Sequence, residues 1–299
     1  MDTYRRQHLG TGLKGMGIIL LLVAVTGARA PVLADTPAYT PEGFDAFTGA
    51  GFDPNPAAGQ LDSDTWAVYG ASDGDVAFGG SCSSGDCARG IDDNGTSTGG
   101  VYAFDVISDT AAADYILGVQ PIEADFTPGA IYLRLQNTTG STINDVWVQY
   151  EAWYNNNENR ASSFSFGIAK CGDGDCENAS YTLVASHSFT TTLAEDTNGW
   201  TLHGGAAKTH TVSGLDVGNN EYICLRWTTD DAGGSGSRDE LGIDDVEVRA
   251  SDSNAVTLSA LTAQDAHNLA ALPIISGLGV LMLASGVVIS HRRQGIPTR

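Results

Sequence analysis

From about residue 65 to residue 249, apolar and polar residues alternate in short runs separated by Gly, Asp and Asn. A period of two sends successive side chains to opposite faces, so each run predicts a strand buried on one side. Ten runs fit this pattern: 65–69, 101–106, 115–119, 130–136, 146–153, 162–169, 182–188, 208–212, 222–229 and 243–249. In the fourth, Ile131, Leu133 and Leu135 share one face while Tyr132, Arg134 and Gln136 share the other. In the fifth, Trp147, Gln149, Glu151 and Trp153 make the more polar face. Strands with one apolar face close best as two antiparallel sheets packed against each other. The predicted fold is therefore all-β, a jelly-roll-type β-sandwich over residues 35–250.

Two long apolar stretches interrupt the alternation, one near each end. Arg5, Arg6 and Lys14 precede an apolar run from Met16 to Val25, and Val32-Leu33-Ala34 then fits the small-x-small rule of a cleaved export signal over residues 1–34. Near the other end, Leu269 to Ser290 is 22 residues without a charge, long enough to cross about 30 Å of hydrocarbon. His291, Arg292 and Arg293 follow directly, so the positive-inside rule assigns 291–299 to the cytoplasm and the domain to the outside. Residues 251–268 read as a polar spacer between that domain and a transmembrane helix at 269–290. The expected location is the cell surface, with the membrane as one partner.

Charge sharpens this picture. The chain carries 36 acidic against 15 basic residues, a formal charge of −21. Such an excess repels phosphate backbones and excludes nucleic acid as a partner. It suits oxygen-seeking cations. Asp62 and Asp64 precede one predicted strand, and Asp239, Glu240, Asp244 and Asp245 surround the start of the last. First and last strands often lie together in a sandwich, so these six carboxylates could converge on a structural Ca²⁺, which takes six to eight oxygens. Turn hydrogen bonds and pairing with Arg compete with the ion for the same groups. Strict alternation gives Asp244 the parity of Val246 and Val248, an inward carboxylate that needs Arg238 or a cation as partner. The loop from Cys171 to Cys176 starts like an EF-hand, but Asn178 stands at its sharp-turn position and Val184 where the bidentate Glu belongs.

Five cysteines occur, and Cys82 with Cys87 and Cys171 with Cys176 have the same spacing, each pair ending in Gly-Asp-Cys. In an exported chain this predicts two local disulfides and leaves Cys224 as an odd thiol; a four-thiolate zinc site is the rival. No Gly-x-Ser-x-Gly elbow and no His-Glu-x-x-His occur, so catalysis has no recognisable motif. Sheet faces rich in aromatics can stack on sugar rings, and Tyr132, Arg134, Gln149, Glu151, Trp153 and Arg226 are the candidate glycan-binding residues. The bland alternative packs the aromatics beneath loops and pairs Arg134 or Arg226 with Glu151 across strands.

Read in order, Gln60-Leu61-Asp62-Ser63-Asp64-Thr65-Trp66, Gly99-Gly100-Val101-Tyr102-Ala103-Phe104, Leu117-Gly118-Val119-Gln120-Pro121, Leu225-Arg226-Trp227 and Gly234-Ser235-Gly236-Ser237-Arg238-Asp239-Glu240 resemble a family of secreted bacterial jelly-roll modules. The ending Ile243-Asp244-Asp245-Val246 is similar to the last strand of MAM-type and carbohydrate-binding jelly rolls, a resemblance that implies calcium near those acids. The tail resembles the tripartite sorting tails of bacterial surface proteins, PEP-CTERM tails among them, in architecture alone. The expected function is a non-catalytic, membrane-anchored surface module, structural or adhesive, that binds an extracellular glycan or an envelope protein. The alternatives are an extracellular polymer hydrolase of glycosidase type and a purely architectural envelope protein.

Overall fold

The structure is a computed structural model, and it describes residues 37–39, 43–93, 95–107 and 113–251. The expected export signal at 1–34 and the expected membrane helix at 269–290 lie outside the described residues. Among the described residues no helix is long and apolar enough to cross a membrane.

Among the described residues sixteen strands run in the order β1 (Pro37–Tyr39), β2 (Phe47–Asp53), β3 (Gly59–Asp62), β4 (Trp66–Tyr69), β5 (Ile91–Asp92), β6 (Gly100–Asp105), β7 (Tyr115–Gln120) and β8 (Gly129–Gln136). They continue with β9 (Asp145–Asn155), β10 (Arg160–Cys171), β11 (Thr182–Leu183), β12 (Phe189–Thr190), β13 (Trp200–Leu202), β14 (Lys208–Val212), β15 (Tyr222–Gly234) and β16 (Glu240–Ser251). The larger sheet has the order β13-β9-β16-β7-β6-β5, with β1 on β16 and β14 on β9; the smaller has β11-β10-β15-β8-β4, with β12 on β10. A parallel pair, β2 and β3, stands outside both. This is an all-β sandwich.

Its core follows directly from the alternation. Val146, Val148, Tyr150 and Ala152 of β9, with Leu241 and Ile243 of β16, face Phe164, Phe166 and Ile168 of β10 and Ile223, Leu225 and Trp227 of β15. Tyr150 meets Phe166 with ring centroids 5.0 Å apart and Trp227 edge-on at 5.4 Å, bridging the two sheets. His187 adds a hydrogen-bonded contact to the Tyr150 hydroxyl at 3.1 Å, which makes it a packing residue. The run expected as one strand at 182–188 is broken by a short 3-10 turn at Ala185–His187, because His187 must turn inward to reach Tyr150.

One disulfide differs from expectation. Cys82–Cys87 forms, but the second bond is Cys176–Cys224, 48 residues apart, and Cys171 is a buried free thiol. Register is the cause. In the β10–β15 pairing Ala169 stands opposite Cys224. The loop after β10 folds back over the same face, so Cys176 meets Cys224, whereas the Cys171 thiol donates to Asp173 Oδ1 at 2.9 Å and to the Asp175 carbonyl at 3.2 Å. Burial first, then the bond to Asp173, push its pKa up.

Peptide mapping without reduction is expected to recover a Cys176–Cys224 linked pair, with Cys171 alkylated after denaturation alone. A Cys171–Cys176 peptide would refute this register. Trp227→Ala is expected to lower unfolding free energy by about 3–5 kcal/mol in a denaturant titration, since it empties the contact between the sheets.

Candidate functional site

The outer face of the larger sheet is built on β9 and its neighbour β16. Trp147, Gln149, Glu151 and Trp153 project there, all half-exposed, as the alternation requires. Across the strand pair, Gly242 stands opposite Trp153 and Asp244 opposite Glu151. Gly242 and Gly118 form a bare strip. A Cβ on Gly242 would lie 2.4 Å from the Ile116 side chain, and one on Gly118 would lie 2.4 Å from the Phe104 ring. That room lets Phe104 and Ile116 lean over the sheet with Tyr102, and Trp153 and Trp200 pack against them. Phe104 and Trp200 approach to 4.7 Å between centroids.

Beside this aromatic cluster lies a carboxylate triad. One oxygen from each of Glu151, Asp244 and Asp245 lies within 4.8 Å of the others. A β-bulge between Asp244 and Glu247 assembles it, with Asp245 at a left-handed φ of +48°. An extra residue in one strand reverses the parity beyond it. The expectation that Asp244 shares the inward side of Val246 is therefore corrected: Asp244 shares the face of Glu151, opposite to that of Ile243 and Ala152. It is nonetheless 3% exposed, because Phe44 closes over it and donates its backbone N–H to Oδ1 at 3.2 Å.

Burial pushes the Asp244 carboxyl up to about 7, with repulsion from Asp245 and Asp114 adding to it. Burial also raises Glu151, partly offset by the Trp153 indole N–H, which donates to Oε2 at 3.0 Å. Arg238, the expected partner for Asp244, instead donates to Asp231 at 3.2 Å. An oxygen-only set of this kind suits a hard cation or the hydroxyls of a sugar.

The remaining candidates disperse. The six acidic residues do not converge on one ion: among the described residues, Glu151, Asp244 and Asp245 are the group within ligand distance. Asp62 instead accepts the Asp64 N–H at 2.9 Å in a tight turn. Asp239 and Glu240 are fully buried at the start of β16 and accept the N–H groups of Glu158 and Thr96. The glycan candidates split between the two sheets. Gln149, Glu151 and Trp153 belong to the larger sheet, Tyr132, Arg134 and Arg226 to the smaller.

On the smaller sheet the loop after β10 covers the face. Tyr132 is buried beside Tyr69 and Tyr181, and the Arg226 guanidinium lies 3.9 Å from the Tyr181 ring centroid. Arg134 lies 4.1 Å over Phe78 and donates to the Asp64 carbonyl at 3.0 Å. These groups tie a loop down, and sheet separation keeps both arginines from pairing with Glu151. Trp200, in the short edge strand β13, was not among the expected site residues; three residues between glycines and turns carry too little alternation to register.

No family model matches the chain, and no curated protein matches it. Solved structures resemble it distantly. TmCBM61, solved with β-1,4-galactotriose, is 12% identical over 50% of this chain and 82% of its own, with a TM-score of 0.29. The CBM22-1 xylan-binding domain of Xyn10C from Paenibacillus barcinonensis is 10% identical over 72% and 95%, with a TM-score of 0.34. The K2 cleaved adhesin domain of Lys-gingipain is 14% identical over 72% and 97%, with a TM-score of 0.31. Likenesses at these scores carry no argument about this chain, whose fold rests on its own strand pairing.

The raised Asp244 carboxyl sets a sign for stability. An unfolded Asp titrates near 4, so between that pH and about 7 the folded chain holds the extra proton. Stability therefore falls as pH rises through this window and levels off above it. Asp244→Asn is expected to flatten that fall when urea midpoints are measured in chelator from about pH 4 to about pH 8; an unchanged slope would refute the assignment.

Proposed function

We propose that the chain is a non-catalytic glycan-binding module, exported and held at the cell surface by its C-terminal apolar segment. Its ligand lies on the outer face of the larger sheet, against Trp153, Glu151 and Asp245. The observation that carries this reading is the pairing of a half-exposed indole with carboxylates: Trp153 is held by its N–H to Glu151 Oε2, and the exposed Asp245 stands within reach of the same carboxylate. An aromatic face takes the apolar side of a pyranose ring, and carboxylates accept its hydroxyl hydrogens.

The chain's charge of −21 selects the class of glycan. A polyuronic or sulfated polymer meets repulsion across the whole surface, whereas a neutral polysaccharide does not. The ligand is therefore an uncharged polysaccharide.

Affinity electrophoresis against neutral and anionic polysaccharides tests this. Retardation by at least one neutral polymer is expected, with no release of reducing ends, and Trp153→Ala is expected to weaken it at least tenfold. Arg134→Ala, on the opposite sheet, should leave binding unchanged. Failure of every neutral polymer to retard the protein, or equal retardation of the Trp153 variant, would overturn the reading.

A further inference from the structure

We infer that the glycan site is a platform along β9, running from Trp153 to Trp147, that takes an internal stretch of several sugar units. The ligand class is thus the main chain of a linear neutral polysaccharide, bound along its length and not by one ring or one chain end. This inference rests on the glycan reading above and deepens it.

The row is set by the strand itself. From Trp147 to Trp153 every second residue of β9 is half-exposed, and each residue between them is buried. The bulge beside Asp245 interrupts β16, whereas β9 keeps unbroken register with β14. Trp147, Gln149, Glu151 and Trp153 therefore form one continuous outward row. Antiparallel strands rise about 3.4 Å per residue, which puts its two indoles, six residues apart, about 20 Å from each other. One pyranose ring covers a small part of that length.

The flanks leave the row open. On the β14 side Thr209 stands opposite Gln149 and Thr211 opposite Trp147, both exposed and too short to cover their neighbours. On the β16 side Glu247 and Arg249 stand opposite the same two residues and pair with each other. The Arg249 guanidinium lies 4.9 Å from the Trp147 ring centroid, and its side chain is 43% exposed.

The two ends of the row differ in what they offer. Beside Trp153, the carboxylates of Glu151 and Asp245 accept hydrogen bonds and, when ionised, donate none. A sugar hydroxyl both donates and accepts, so carboxylates alone meet half of its capacity. The Trp147 end supplies the missing donors. Gln149 has a half-exposed amide with no hydrogen-bond partner among the described residues. Arg249 gives its Nε–H to Glu247 and keeps its terminal N–H groups. An indole at each end covers apolar ring faces, and the polar side chains between them meet hydroxyls.

The test titrates the full chain by calorimetry with disaccharide and hexasaccharide fragments of each neutral polysaccharide that retards it in the gel. The hexasaccharide is expected to bind at least tenfold tighter than the disaccharide. Trp147→Ala and Gln149→Ala are each expected to weaken hexasaccharide binding at least threefold. Should Trp147→Ala fail to fold, Gln149→Ala decides the question, because that side chain holds no other part of the structure. Equal affinity for the two lengths overturns the platform. So does wild-type hexasaccharide binding by the Trp147 and Gln149 variants together with its loss in Trp153→Ala. Either result confines the ligand to Trp153 and leaves the glycan reading standing. If no neutral polysaccharide retards the chain, platform and glycan reading fall together, a result read in the gel before any fragment is titrated.

Discussion

Tyr150, Phe166 and Trp227 meet between the sheets, and the sandwich is built around that contact. Each comes from a strand whose alternate residues are apolar, and each strand is central or next to central in its sheet. Once those faces are buried against each other, the opposite faces must look outward, and their chemistry is set residue by residue. The hydrophobic effect thus chooses which half of each strand is available for function. Glu151 and Trp153 are on display because Tyr150 and Ala152 are not.

The two outward faces are used differently. On the smaller sheet, a disulfide and stacked Arg–aromatic contacts clamp a loop over Tyr132, so its aromatic surface is spent on structure. On the larger sheet, the glycine strip at Gly118 and Gly242 lets aromatic side chains gather over the backbone while Trp153 keeps one edge in solvent. The acidic groups follow the same division of labour. Asp62 is absorbed by a turn, whereas the buried carboxylates of Asp244 and Glu240 retain unmet electrostatic demand. Burying a carboxylate away from cations is costly, and the chain does so at two separate places along β16.

The alternating pattern was sufficient to locate nine of the ten expected strands, seven of them to within two residues at each end, and to assign the core faces of β8 and β9, because period two is a local property of the backbone. Sequence alone also determined the acidic charge and anticipated the Cys82–Cys87 bridge. Tertiary structure alone decided the rest. The parallel pair β2 and β3 lies outside both sheets and the edge strand β13 is held by β9, distant in the chain, and the residues of all three show no clear alternation. A single inserted residue at the Asp244 bulge reversed the parity on which the inward assignment rested. Cys176 chose Cys224 over its near neighbour because register across two strands, and not spacing along one, sets which sulfurs meet. Which sheet a strand joins is settled by long-range pairing, so only the folded chain could separate Arg134 and Arg226 from Glu151 and Trp153.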